Sequence, residues 1–405
     1  MNNLFTANLD YRSLVRKYGS PLLLLDRATI RHQYRSLKSA LPNVTLHYAL
    51  KPLPHPEVVS VLMEEGASFD LATKGEVDLV RNAGVDPITC IHTHPIKKDD
   101  EISYALDYGC SVFVVDNEEE VKKFIPYRRD ARLLIRVSFP NPETPVDLSK
   151  KFGVLPENCL SLLRYVKRLG LEIAGLSFHV GSQVPNARRH CEAISQCAEI
   201  IRAAAEEGIE IGVLDIGGGF PVDYAGARET DIGAFCAPIR EALAQLPEGI
   251  RIIAEPGRFI SAPAMLNICT VVGKAERFGK PWYYLDDGVY CSYSGQIFDH
   301  VTYPKSAPYA MGPVRESVLA GPTCDSIDII AENIMLPELH VDDIVVGKMM
   351  GAYTISTATE FNFIRKTGIL LIDTDRDHPD ELERQFRLEP ATREHCHQRA
   401  FRLVS

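Results

Sequence analysis

The chain has 405 residues, 45% hydrophobic and 24% charged. A chain of this length and texture buries most of its apolar surface without staples, which excludes a disordered segment, a collagen-like repeat and a disulfide-rich miniature. Its 44 basic and 54 acidic residues leave a net charge of −10, and no Lys/Arg block stands out. Neither nucleic acid nor an anionic membrane is therefore an expected partner.

At roughly 150 residues per domain, two or three domains are expected, and one barrel of about 250 residues with a smaller companion fits equally well. The longest apolar run, PLLLLD at 21–26, is too short to span a bilayer. The N-terminal stretch MNNLFTANLDYRS lacks the charged-then-apolar pattern of a signal peptide, so a cytoplasmic protein is expected. The ten cysteines are scattered and form no CxxC pair. In such a compartment they read as free thiols, mostly small buried hydrophobes. The count leaves open whether one of them does chemistry.

In chain order, an apolar segment at 22–25 precedes eight runs of strand length: 45–50, 68–72, 89–94, 111–116, 132–138, 172–180, 213–217 and 251–255. Helical patterns fill the gaps at 56–66, 74–84, 99–109, 117–125, 157–170, 187–208 and 229–247. The first two end in Gly66 and Gly84, a helix-stop signal. This alternation predicts an α/β fold of the (β/α)8 TIM-barrel type, with an open doubly wound sheet as its rival.

After about residue 265 short β-rich runs alternate with Gly/Pro turns: ICTVVGKAERF, WYYLDDG, SVLAG, DDIVVG and GILLID. They predict a second, all-β domain. The expected division is a barrel over 30–265, with residues 1–29 and 266–405 forming a β-sandwich or barrel-like domain. The tail beyond 374 is charged and irregular.

A barrel places its chemistry at strand C-termini. The strand ends here are Lys51, Asp70, His92 and His94, Asp116, Arg136, His179, Gly217–Gly218–Gly219, and Glu255–Pro256–Gly257–Arg258. A barrel serving only as scaffold needs no such convergence of polar groups. Lys51 can lose its charge by desolvation and act as a nucleophilic amine, or it can simply end a strand at the surface. The glycines of DIGGGF let backbone N–H groups approach an anion, or form no more than a tight turn. Arg258 can supply the charge partner and Ser182 a hydroxyl. Glu255 can balance a protonated ring nitrogen, or pair with Arg136 or Lys51. His179 can stack on a planar group, act as a base or be a satisfied core histidine.

In the later part of the chain, GPTCDSID sets Cys324 beside Asp325 in a turn-rich segment. Asp325 can recognise a cation, and Cys324 can act as acid or nucleophile, or the pair can be a plain surface loop. His92/His94 and the His395–Cys396–His397 cluster lack a complete ligand set at zinc spacing.

Together HYALKPLPHPEV, SFDLATKGEV, KFGV, GLSFHVGSQ, LDIGGGFP, AEPGRF, DDGVYCSYSGQIFDH, GPTCDSIDII and MGAYTISTATEFN resemble the alanine-racemase-fold (fold type III) decarboxylases. These are pyridoxal 5'-phosphate enzymes acting on ornithine, lysine, arginine and diaminopimelate. The resemblance runs over residues 20 to 370 in the same order, and the most similar branch is ornithine decarboxylase.

The resemblance implies a barrel plus β-domain and a head-to-tail homodimer with two active sites at the subunit interface. It implies decarboxylation of a basic amino acid: L-ornithine to putrescine in polyamine biosynthesis, or L-lysine to cadaverine. Another acid of the same family, such as diaminopimelate, and a non-catalytic regulator are the alternatives. By position, Lys51 resembles the Schiff-base lysine, Glu255 the partner of the pyridine nitrogen and His179 the histidine stacked on the ring. Ser182, Gly217, Gly218, Gly219, Gly257, Arg258 and Tyr353 fall on the phosphate cradle, and Asp70 and Arg136 on polar positions supporting the cofactor. Cys324 matches the cysteine that reaches in from the other subunit and reprotonates the product carbon. Asp299, Asp325 and Tyr290 match positions lining the pocket for the distal amine, an anionic pocket that favours a cationic end. Two positions depart from the family pattern. Pro52–Leu53 follow the lysine where relatives carry a small residue and Asn, and His94 stands where relatives carry Asn. Both bear on substrate preference.

Overall fold

The computed structural model describes residues 9–140, 149–224 and 231–375. The His395–Cys396–His397 cluster and most of the charged tail lie outside the described residues.

Strand β1 (Leu22–Asp26) is followed by eight strands that close into a barrel in chain order. These are β2 (Val44–Ala49), β3 (Ser68–Leu71), β4 (Cys90–His92), β5 (Val112–Val115), β6 (Arg132–Val137), β7 (Glu172–Phe178), β8 (Val213–Asp215) and β9 (Arg251–Ala254). Every pair is parallel, and β2 closes the ring by pairing with both β3 and β9. Each strand buries both faces, which explains its nearly continuous apolar composition. One face supplies Ile91, Val112, Val114, Leu134, Val213 and Ile253, a separate cluster filling the barrel. The alternate residues pack outward on the helices as the main core.

The helices follow their sequence signals. Thr73 accepts from the Glu76 amide at 3.3 Å and Asn117 from the Glu120 amide at 2.9 Å as N-caps. Gly66 and Gly84 follow their helices at φ +73° and +77°, the left-handed region that glycine enters freely. Four helices among the described residues escape the sequence reading: Tyr11–Tyr18, Arg27–Ala40 and the four-residue Arg258–Ser261 and Gly295–Phe298. The second carries a legible signal. Asp26 caps it by accepting from the Ala28 and Thr29 amides, both at 3.2 Å. Ile30, Tyr34 and Leu37 form its buried stripe, diluted by the polar residues between them.

Beyond the barrel lie β10 (Met265–Arg277), β11 (Lys280–Leu285), β12 (Lys305–Ser306), β13 (Val314–Ala320), β14 (Ile329–Pro337), β15 (Ile344–Gly347) and β16 (Gly368–Ile372). They form one sheet in the order β12-β15-β10-β11-β13-β14. Strand β1 joins it, antiparallel to β10 and parallel to β16. The segment before the barrel is thus stitched to the segment after it. Strands β12 and β14 were not foreseen. In β14 the polar Glu332 and Asn333 interrupt the apolar pattern.

His190 and His47 are among the histidines buried as neutral rings. His190 packs between Phe220 and Phe235, with ring centroids 5.7 and 6.0 Å away, and its Nε2 lies 3.0 Å from the Gly218 carbonyl. Burial lowers its pKa to about 4, and burial likewise lowers that of His47 to about 4. The unfolded chain, with histidine near 6.5, binds more protons between these values, so stability is complete above pH 6.5 and lost as pH falls towards 4. The urea midpoint is expected to fall over that window, with each histidine contributing a slope of up to roughly 1.4 kcal/mol per pH unit. His190→Gln should flatten the slope by about one proton's worth.

Candidate active site

The C-terminal mouth of the barrel gathers the sequence-predicted residues. Lys51 lies two positions past β2, whose end is held on both sides: the Leu50 amide donates to the Asp70 carbonyl (3.3 Å) and the Ala49 amide to the Pro256 carbonyl (3.1 Å). Its Nζ lies 3.7 Å from Asp70 Oδ2, and Asp70 also accepts from the Thr93 hydroxyl at 2.5 Å. Burial by itself would release the Lys51 proton. The negative charge of Asp70, helped by Tyr353 and Glu255, outweighs it, and the net shift is upward. In this arrangement the Asp70 carboxylate holds Lys51 as an ammonium.

His179 follows β7. Its Nδ1 accepts from the Gly181 amide at 3.1 Å. Burial, then the positive charges of Lys51 and Arg136, push its pKa well down. The ring is therefore neutral, as a stacking surface needs to be. Arg136, at the end of β6, places its guanidinium 5.6 Å from the centre of the Phe152 ring. His92 does not face this mouth. It is buried against Phe113, with ring centroids 5.7 Å apart, because the alternation along β4 turns it outward while Ile91 fills the barrel.

The glycine run forms a cradle. A Cβ on Gly217 would collide with the Phe178 carbonyl, one on Gly218 would lie 2.7 Å from the Glu255 carbonyl oxygen, and one on Gly219 2.5 Å from the Gly181 carbonyl oxygen. The space belongs to backbone, and a side chain there would fill it. Gly257 is equally confined, with Pro52 Cγ 2.7 Å from its ideal Cβ. Beside the cradle, Arg258 is a buried guanidinium. It donates to Ser182 Oγ from Nε (3.2 Å) and Nη2 (3.0 Å), donates to the Tyr224 hydroxyl from Nη1 (2.9 Å), and pairs with Asp299 at 2.5 Å. The Tyr353 ring lies 4.9 Å from its guanidinium carbon.

Asp299, which the resemblance places in the pocket for a distal amine, pairs here with the buried Arg258 guanidinium. Tyr224 and Asp215, two further polar groups of the mouth, were missed. Tyr224 lies in a loop with no motif around it. Asp215 opens the DIGGGF run, where the glycines carry the visible signal.

Lys51, His179, Ser182, Gly218, Glu255 and Arg258 line one cavity. Cys324, Asp325 and Tyr290 do not line it. They form a separate unit on the second sheet's side. The Tyr290 hydroxyl donates to Asp325 Oδ2 at 2.5 Å, and the Tyr290 ring stacks on Phe361 with centroids 4.3 Å apart. The Cys324 amide and thiol both reach Asn362 Oδ1 at 3.3 Å. Cys324 is exposed, whereas the other described cysteines are buried or half-buried. A larger cleft opens at the opposite mouth, around Thr45, His47, Arg132 and Arg251. It holds none of these groups, so chemistry rather than volume selects the site.

Comparison with known proteins supplies the class. Residues 27–262 match the family model described as the pyridoxal-binding domain of pyridoxal-dependent decarboxylases. The chain belongs to that family and is a pyridoxal-phosphate-dependent carboxy-lyase acting on basic amino acids. More particular likenesses follow. A lysine/ornithine decarboxylase of Selenomonas ruminantium is 33% identical over 89% of this chain and 92% of its own length. A crystal structure of lysine/ornithine decarboxylase from Vibrio vulnificus complexed with putrescine is 53% identical, covers 89% of this chain and 97% of its own, and superposes with a TM-score of 0.85. An antizyme inhibitor 2 of Xenopus laevis is 36% identical over 84% of this chain and 78% of its own length.

The residues fit the cofactor. The cradle has no room for side chains, the buried Arg258 already accepts one carboxylate as an anionic stand-in, and the neutral His179 ring and the Glu255 carboxylate face the same cavity. Gly218→Ala is expected to weaken pyridoxal phosphate affinity by about tenfold or more, since its Cβ must displace the Glu255 carbonyl or the His179 ring. Titrating the protein with the cofactor and following absorbance measures this, and the unfolding midpoint checks that the barrel still forms.

Proposed function

We propose that this chain decarboxylates L-ornithine to putrescine in polyamine biosynthesis, with L-lysine to cadaverine as its second reaction. We infer that it works as a homodimer whose active sites are completed across the subunit interface. The observation that carries the second half is the separation of chemistry within one chain. Lys51 lines a cavity in the barrel mouth, while the exposed Cys324 and the Asp325–Tyr290 pair stand on a different face. A head-to-tail second copy joins the two. The names of the relatives support the substrate class, because lysine/ornithine decarboxylases recur among them and the Vibrio vulnificus protein is solved with putrescine and with cadaverine.

When bound, pyridoxal phosphate supplies the electron sink for loss of carbon dioxide. The chain's own residues bind, orient and protonate. Arg258, Ser182, Tyr353 and the backbone of Gly217, Gly218, Gly219 and Gly257 would hold the phosphate. His179 would cover the ring face. Glu255 would keep a proton on the ring nitrogen by its negative charge. Asp70, with Arg136 nearby, sets the charge of Lys51, whose Nζ is the amine that would hold the cofactor. Cys324 of the second copy returns a proton to the product carbon. Asp325 and Tyr290 of the same copy meet the cationic end of the substrate, and Asp299 joins them once an anion takes its place on Arg258. Asp325 is suited to this task, since hydrogen bonds from the Tyr290 hydroxyl and then the Ile327 amide hold its carboxyl below the usual range.

A carbon dioxide release assay with L-ornithine, L-lysine, L-arginine and meso-diaminopimelate is expected to give the highest kcat/KM for ornithine, then lysine. Lys51→Ala should lower activity by about a thousandfold or more. Asp325→Ala should damage the basic substrates while leaving cofactor absorbance intact.

Mixing tests the shared site. Lys51→Ala and Cys324→Ala, each nearly inactive alone, should regain about a quarter of wild-type activity when dissociated and reassociated together, because half the dimers then carry one complete site. No gain on mixing would place all the machinery in one subunit.

A further inference from the structure

Glu255 does not stand alone in the barrel mouth. Asp215 ends β8, where it pairs in register with Ile253 of β9. Glu255 lies two residues beyond Ile253, so the two carboxyl groups emerge on the same, inward face of adjacent strands. The Glu255 amide donates to the Gly217 carbonyl at 2.8 Å, which locks the pair's backbones together. Asp215 is fully buried, and its side chain is within hydrogen-bonding reach of Glu255. Its Oδ1 accepts from the Gly217 amide at 2.9 Å. Its Oδ2 meets no N–H or O–H donor among the described residues.

The charged groups around this pair are already committed. Lys51 faces Asp70, Arg258 is paired with Asp299, and Arg136 lies over the Phe152 ring. The neutral His179 carries no positive charge to offer. Two bare carboxylates in contact in a low-dielectric interior cannot both stay ionised. We propose that Asp215 and Glu255 share a single proton, and that Asp215, carrying it on Oδ2, is a positioning residue that donates a hydrogen bond to Glu255 and aims its carboxylate at the cofactor's ring nitrogen. This rests on the reading of Glu255 as the ring-nitrogen partner.

The orphaned oxygen and the contact then explain each other, because a protonated Oδ2 is the missing donor. Burial above all, and next the Glu255 charge, push the Asp215 carboxyl well above the usual range. Asp70 is also pushed up by burial and by Glu255. It has Lys51 and the Thr93 hydroxyl to hold its anion, and Asp215 has only one backbone amide. The proton belongs with Asp215.

The test uses the full chain, without and with pyridoxal phosphate. Infrared spectra at pH 7 should show the C=O stretch of a protonated carboxylic acid, lost in both Asp215→Asn and Asp215→Ala. The asparagine amide still donates to Glu255, so cofactor affinity should stay within about twofold in Asp215→Asn and fall about tenfold in Asp215→Ala, with kcat following affinity. The unfolding midpoint of each variant separates positioning from misfolding, and the Asp215→Asn band carries the test where Asp215→Ala does not fold. A wild-type spectrum without the band, a band that survives both substitutions, or Asp215→Asn binding as poorly as Asp215→Ala overturns the proposal. Unchanged affinity in Glu255→Ala overturns the reading of Glu255 itself, whatever the Asp215 variants do.

Discussion

Closure of the parallel barrel is the constraint on which everything else depends. Strand β2 must pair with β3 on one side and β9 on the other. A strand in a ring has no free edge, so its register is fixed from both neighbours. That double pairing brings Lys51, Asp70 and Glu255 to one mouth although Asp70 and Glu255 are far apart in the chain. The hydrogen bonds beyond the strand ends extend the same lock, from Leu50 to Asp70 and from Ala49 to Pro256. The second sheet adds a further tie, because the Tyr353 amide donates to the Pro52 carbonyl at 3.0 Å, just past Lys51.

Inside the mouth the physics is electrostatic. Asp70, Glu255 and Arg258 are buried, so their charges are strong and must be matched. Lys51 is balanced by Asp70, and Arg258 by Asp299. The balance is also an arrangement waiting for ligands. On the proposed reading, a phosphate on Arg258 would replace one carboxylate by another anion, and the neutral His179 would face a ring without repelling its positive nitrogen. The carboxylates outnumber the available cations, which is why one proton is retained between Asp215 and Glu255.

Much of this was legible along the chain. The barrel strands were found because each is buried on both faces and therefore reads as an unbroken apolar run, and their polar C-terminal residues stood out by contrast. Gly217, Gly218 and Gly219 were visible as a run, and Arg258 as a charge next to a glycine. Tyr224 was not, since a loop tyrosine carries no periodicity. The helix Arg27–Ala40 was overlooked because its buried stripe of Ile30, Tyr34 and Leu37 is interleaved with arginines and other polar residues.

The sequence by itself determined where the barrel strands end and most of the polar residues those ends carry, because strands buried on both faces read as apolar runs broken at their C-termini. It also determined the chemical types available there: an amine, carboxylates, a guanidinium, an imidazole and a glycine cradle. Only the tertiary structure decided how those charges divide into pairs. Lys51 is an ammonium rather than a free amine because Asp70 lies 3.7 Å away, and Asp299 is bound to Arg258 rather than to Asp325. Only the tertiary structure, too, set Cys324 and Asp325 on a face apart from the Lys51 cavity. The physical reason is common to all three: charge state and partnership depend on distance and dielectric, and neither is written in the order of residues.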